Sequence, residues 1–492
     1  MTVGKVQKIF ACLCVLALFL STLPLYAIAF DNHPYYDDFG FSASVHQAWK
    51  RTGDWGETLS AALASARETR QNWQGTYTGT LFSNLQPGLF SEDMYWIGNW
   101  FILTALIVCV AFLMNTAFEK LGLERWARVS LSSLAPMIMI QFMPDVGEAF
   151  YWFNGGIGNT FIYALLALTT AFCIRLYHAQ GFGVWQTIVL AVLAVAIGGG
   201  SYGGGLFALC TGAFGLLWLF VCKGRKRWHF AALYVLMACC FLYSVTAPGN
   251  SVRASYIRYQ GSPVKTVLQS FYYGIGQMGE YIRLPLIAVT LPVVPALFDA
   301  AKKSPYQFRH PWLVLGVGVC LYCTQFAPPL HSIASIGAGR IVNTYFISFV
   351  VLWFFYAYYL AGFAARRVEI PQLNVRQMGA LLLVSLCVFG TGCLAFRRSG
   401  DVLYGAQNMS GPSALLSIVT GEAAQYDREM TAREVLLNDD TQPVITLEPL
   451  TVVPAVLMDD LIVPNAVYDA RESLCLYYEK DAIHIVGEEG VQ

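Results

Sequence analysis

Ile97–Phe118 reads IGNWFILTALIVCVAFLMNTAF, twenty-two residues without a charged side chain. At 1.5 Å per residue a helix of that length is about 33 Å long, enough to cross the hydrocarbon layer of a bilayer. Ten more apolar stretches, near 9–29, 129–146, 157–177, 183–198, 203–222, 229–247, 284–299, 311–327, 341–363 and 378–396, have the same character. Hydrophobic residues make up 56% of the chain and charged ones only 13%, with a mean hydropathy of +0.51. Such a chain has too little polar surface to fold in water, so the expectation is an all-α polytopic membrane protein of about eleven transmembrane helices.

The charges lie in the loops. With Lys5 and Lys8 cytoplasmic, the connections on that side carry Lys120, Arg125, Arg128, Lys223, Arg225, Lys302, Arg366 and Arg367, while the short connections on the other side are nearly bare of cations. This bias orients the N-terminus inward and the C-terminus outward in the cell membrane. Joining the fifth and sixth spans across the glycine run 198–205 would move every later loop to the wrong side, so the run is expected to turn tightly between two closely packed helices. The first span also resembles a signal peptide, but its apolar stretch is long for one, which favours a retained anchor. Either way the following loop lies outside.

Three outward segments are large enough to hold a site: 30–95, 248–283 and the tail 397–492. The chain therefore divides into a membrane domain, 1–396, and a small soluble α/β cap, 397–492. Within the cap a helix is expected near Ala414–Leu437, with strands at Val444–Leu447 and Ile483–Val486. The thirteen cysteines lie almost entirely within spans and form no disulfide framework. Zero net charge leaves no footprint for nucleic acid. The cores of the spans hold essentially no ionisable residue, which disfavours an ion-coupled transporter.

Four groups carry possible chemistry. Asp37 and Asp38 follow the first span directly, where a partly dehydrated carboxylate can act as a general base or help bind a divalent cation, Mg2+ or Mn2+. Neighbouring residues diverge on a helix or strand, so only one acid is expected to face a site, and Asp38 or Ser42 would equally serve as a helix cap. Glu148 returns to the same face after the third span, beside Trp152. At the end of the seventh span, Asn250 belongs to a Pro-Gly-Asn turn that directs Arg253, with Arg258 downstream. His331 and Arg340 stand at the mouth of the tenth span. Arginine binds phosphate bidentately, and Arg340 at a helix start adds the backbone dipole.

Tyr36-Asp37-Asp38-Phe39, Glu148-Ala-Phe-Tyr-Trp-Phe-Asn-Gly155, Ala247-Pro-Gly-Asn250 through Arg253, and the tail's Val463-Pro-Asn-Ala466 with Tyr477-Tyr478 together resemble the GT-C class of integral membrane glycosyltransferases. More narrowly, they look like an uncharacterised bacterial family of GT-C-like proteins. The resemblance spans nearly the whole chain, though each motif is short. It implies a polyprenyl-phosphate sugar donor, a cell-envelope glycan or lipid acceptor, and catalysis by the first-loop acid, Asp37 with Asp38 second and Glu148 after them. Tyr36, Trp152, Asn250, Arg253, Arg258, His331 and Arg340 are the expected substrate-binding residues. The tail departs from the pattern at Glu479, where a glycine is expected. A lipid-linked glycan flippase and a non-catalytic partner of an envelope assembly complex are the readings from other classes.

Overall fold

The computed structural model describes residues 2–256, 261–369, 373–398, 402–462 and 470–487. In a bilayer each backbone N–H and C=O must be paired within its own segment, so the long apolar runs become helices. Among the described residues eight are long and apolar enough to cross a membrane: Val3–Asp31, Glu92–Lys120, Phe153–His178, Tyr202–Val221, Arg227–Val245, Pro311–Ile333, Gly339–Ala365 and Val375–Leu394. The chain is a nearly all-helical, multi-pass membrane protein.

The other three expected spans are helical but differ from the eight. Leu284–Thr290 and Val294–Lys303 form a pair bent by 51°, a ninth crossing if the two make one span. Val184–Gly198 has only 15 residues, and Arg125–Gln141 has 17. At about 1.5 Å per residue these helices fall short of the roughly 30 Å hydrocarbon layer. Arg125–Gln141 is sheltered between Val3–Ile28 and Trp96–Lys120, which bury its apolar face.

The glycine run turns at Gly199–Ser201, but it does not join two closely packed helices. Val184–Gly198 packs chiefly on Arg227–Val245. A Cβ on Gly199 would lie 2.3 Å from the ring of Tyr77, and one on Gly200 would lie 2.5 Å from Ile162. Gly199 makes room for Tyr77 of the first loop, and Gly200 for Ile162 of a neighbouring span.

That loop is mostly helical, with Asp37–Thr52, Trp55–Asn72 and Tyr77–Asn84 packed on one another. The tail covers it. Its expected single helix is two, Ser410–Thr420 and Glu422–Leu437, divided at Gly421 by a left-handed φ of 83°. Val444–Leu447 and Ala482–Ile485 pair in parallel, Val444 opposite Ala482 and Leu447 opposite Ile485. The second strand begins one residue before the expected Ile483. Ile445, Leu447, Ile483 and Ile485 point inward and the Arg471–Tyr478 helix lies between the strands in sequence, as a parallel pair requires.

The tail is not separated from the bundle by a break in packing. One buried core runs from Leu106, Leu134 and Phe349 in the spans to Tyr426, Leu474 and Ile485 in the tail. Ser410 Oγ donates to the Ile140 carbonyl at 2.6 Å, and Gly411 N to Gln141 Oε1 at 3.0 Å. The thirteen cysteines are free thiols.

Candidate functional site

The chain leaving the first span is fixed before it reaches the acids. Asn32 donates its side-chain amide to the Tyr151 carbonyl at 2.7 Å and to Asn99 Oδ1 at 3.1 Å, tying the loop to the Trp96–Lys120 helix and to the segment after Glu148. Tyr36 then adopts φ 42° and ψ −103°, a conformation that costs a tyrosine of the order of 1–3 kcal/mol. Helix Asp37–Thr52 begins at once, with both acids in its first turn. Its N-cap residue is Tyr36, whose side chain makes no capping hydrogen bond, so neither Asp38 nor Ser42 is the cap. Ser42 lies one turn inside and donates its hydroxyl to the Asp38 carbonyl.

About 100° of helical rotation separates neighbouring side chains, and the two acids accordingly meet different surroundings. Asp38 is fully buried. Its Oδ1 accepts from Asn154 N at 2.8 Å, and its Oδ2 accepts from Tyr35 N at 3.0 Å and from the Tyr95 hydroxyl. Burial pushes its carboxyl up to about 7, against the lowering effect of these donors. Asp37 is half-buried, and among the described residues only its Oδ2 has a side-chain donor, the Asn154 amide at 3.3 Å. Burial raises its carboxyl too, while Arg340, Arg253 and that hydrogen bond pull it down.

Glu148 sits in a single wide turn, Gly147–Tyr151, with i to i+5 hydrogen bonding. Its Oε2 accepts from Arg340 N at 2.6 Å and from the Arg340 guanidinium at 3.3 Å, so it caps helix Gly339–Ala365 and holds the arginine in one motif. The guanidinium carbon lies 4.7 Å from the centre of the Trp152 ring, which Tyr35 meets edge-on at 5.7 Å. Trp152 is buried, and its indole N–H has no hydrogen-bond partner among the described residues.

Arg253 reaches the same place from helix Pro248–Tyr256. Its guanidinium donates to Gln74 Oε1 at 2.9 Å and stands 5.2 Å from the Trp73 ring, and it is close enough to Asp37 and Arg340 to act on both charges. Asn250 is spent on structure. Its amide nitrogen donates to the Ser244 and Val245 carbonyls, and its oxygen accepts from Gly75 N and the Tyr202 hydroxyl. It therefore sets the direction of Arg253 and has no side-chain atom left for a ligand. His331 is exposed on the short helix Ala327–Ile333, where its ring faces Thr266 at 3.4 Å and not the acidic loop. Arg258 and the Val463–Ala466 stretch lie outside the described residues.

Asp37, Glu148, Trp152, Arg253 and Arg340 thus form one cluster: Glu148 holds Arg340 against Trp152, and Arg340 and Arg253 both act on the charge of Asp37. Tyr95 and Asn154 complete it, and they were not among the residues expected from sequence. Asn154 lies within the stretch that contains Glu148, so its polarity amid aromatic residues was the available signal. Tyr95 reads as an ordinary interfacial aromatic, and nothing local marks it. The surroundings of Asp37 do not suit Mg2+ or Mn2+: both oxygens of Asp38 are occupied by N–H and O–H donors, and two arginines already supply positive charge. Comparisons with protein-family models, curated proteins and solved structures gave no match.

Proposed function

We propose that this chain is a GT-C-type membrane glycosyltransferase, moving a sugar from a polyprenyl-phosphate donor to a cell-envelope glycan or lipid acceptor on the outer face of the cell membrane. The tail and the first loop then lie outside, the N-terminus lies inside, and the three shorter or bent apolar helices complete eleven crossings. The observation that carries this reading is the unequal environment of two adjacent acids. Asp38 is locked by three donors, whereas Asp37 keeps carboxylate oxygen capacity free beside two arginines.

In that reading the acceptor hydroxyl gives its proton to Asp37. The oxygen lone pair attacks the anomeric carbon as the carbon–oxygen bond to the lipid phosphate breaks, and the electron pair leaves with the phosphate. One displacement inverts the anomeric centre. Charge grows on the leaving phosphate, where Arg253 and Arg340 supply preorganised stabilisation. Burial raises Asp37 towards the range in which a carboxylate accepts a proton effectively, and the arginines offset part of that rise. Glu148 is assigned to holding Arg340, not to proton transfer.

Asp37→Asn tests this directly. Transfer from a radiolabelled polyprenyl-phosphate sugar in membranes should fall by at least about 100-fold, with the purified variant melting near the wild-type temperature. Near-normal transfer by Asp37→Asn removes the proposed base and the mechanism with it.

A further inference from the structure

A second cluster lies where the first loop meets the tail. His33 is 93% buried, since its relative exposure is 7%, and its Nε2 is 3.0 Å from Asp427 Oδ1. A carboxylate in that position holds the proton on Nε2 and leaves Nδ1 as a lone pair, the arrangement found behind metal-binding histidines. Among the described residues Nδ1 has no hydrogen-bond partner, and it faces Glu92 Oε2 at 3.9 Å, beyond hydrogen bonding. Glu92 is oriented by the Tyr478 hydroxyl, which donates to Oε1 and leaves Oε2 turned towards His33. Glu434, on helix Glu422–Leu437, brings a third ligand atom, and all three lie within 4.8 Å of one another. Two ligands about 2.1 Å from a tetrahedral ion stand roughly 3.4 Å apart, so the cluster has the scale of a coordination shell. A cavity of about 10 Å³, lined in part by Glu92, Glu434 and Tyr478, adjoins it and has room for about one water-sized body.

Two carboxylates and an imidazole packed this closely are mutually repulsive when the acids are ionised and the histidine neutral. A cation at the centre would offset that repulsion.

We propose that His33 Nδ1, Glu92 and Glu434 form a divalent metal site of the zinc class that staples the first loop to the tail. One imidazole nitrogen with carboxylate oxygens suits Zn2+, whereas Mg2+ and Ca2+ favour shells of oxygen alone. Two of the ligands, His33 and Glu92, flank the acidic helix in sequence, and the third comes from the cover over it. The ion would therefore fix the tail to the loop that carries Asp37 without touching the reacting atoms.

The full chain, purified in detergent and stripped with a chelator, should take up a single Zn2+ and melt at a higher temperature once loaded. Glu434→Gln, altered at a partly exposed position, should lose both the uptake and the thermal shift. Asp427→Asn should weaken Zn2+ by roughly 10- to 100-fold through loss of ring orientation. His33→Gln should match Glu434→Gln if it folds, and the two carboxylate variants decide the matter if it does not. Absence of stoichiometric uptake by the wild-type chain, undiminished uptake by Glu434→Gln, or equal stabilisation by Mg2+ would each overturn the assignment.

Discussion

Glu148 holds Arg340 by two donors at one oxygen: Oε2 accepts the arginine's backbone N–H at 2.6 Å and its guanidinium at 3.3 Å. Glu148→Gln keeps an acceptor for the backbone but removes the charge opposite the guanidinium. A residue that positions Arg340 should then show weaker donor binding with most of its turnover kept, whereas a general base would lose turnover by about 100-fold or more. Separate measurement of kcat and KM discriminates the two. A collapse of kcat at unchanged KM would return Glu148 to proton transfer.

Asp38 is expected to fail by a different route from Asp37. Asp38→Asn replaces one acceptor oxygen with an N–H group, which then faces the Asn154 N–H or the Tyr95 and Tyr35 donors. A buried donor left unpaired costs about 1–3 kcal/mol, so the variant should melt well below wild type. The pH dependence follows from the raised carboxyl. In the folded protein Asp38 titrates near 7, above the 3.8 of an ordinary aspartate, so its stabilising contribution is complete below 3.8 and is lost as pH rises through about 7. The gap in stability between wild type and Asp38→Asn should be larger at about pH 5 than at about pH 8. A gap that widens with rising pH contradicts burial as the dominant influence on this group.

The spans were legible because a bilayer demands long apolar runs, and Ile97–Phe118 satisfies that demand within itself. Arg125–Gln141 shows where such reading stops, since its neighbours cover a helix too short to cross alone. The cluster was legible through rare charges on one face, and Glu148 and Arg340, 192 residues apart, do meet. The division of Asp37 from Asp38 was not. It depends on Tyr95 and Asn154, which lie 57 and 116 residues from Asp38, and on a left-handed Tyr36 that starts the helix earlier than a Ser42 cap would. Long-range pairing and a single strained residue leave no local pattern. Asn250 is the converse case, for its turn was visible but the four bonds that occupy its side chain were not.

The proposed orientation can be checked by labelling. Ser410 belongs to the tail but is completely buried, so a probe there would report burial and not sidedness. Val435, 67% exposed on the second tail helix, and Arg225, exposed in a turn between two spans, are better sites. In a chain without its native cysteines, Val435→Cys should react with an impermeant reagent on intact cells, and Arg225→Cys should react only after the membrane is opened. Reaction of both from outside would refute the arrangement of crossings.

Arg253 joins the two halves of the proposed chemistry, because it would bind the leaving phosphate and it also lowers the Asp37 carboxyl. Its removal should therefore have two separable effects. Arg253→Ala loses a charged hydrogen-bonding partner, worth about 1.5–3 kcal/mol, or about 10- to 150-fold in donor affinity. The same change removes one of the influences holding Asp37 down. A base must be ionised to act, so the acid limb of the rate profile should move to higher pH in Arg253→Ala. Arg253→Lys restores a positive charge without the bidentate fork. It should bring the acid limb most of the way back while recovering donor affinity only in part. Titration of a polyprenyl-phosphate donor, together with turnover measured across pH for the three proteins, reads both effects. If Arg253→Ala folds and binds donor as tightly as wild type, Arg253 serves only its contacts with Gln74 and Trp73. If affinity falls but the acid limb stays in place, the arginine meets the phosphate without influencing the base.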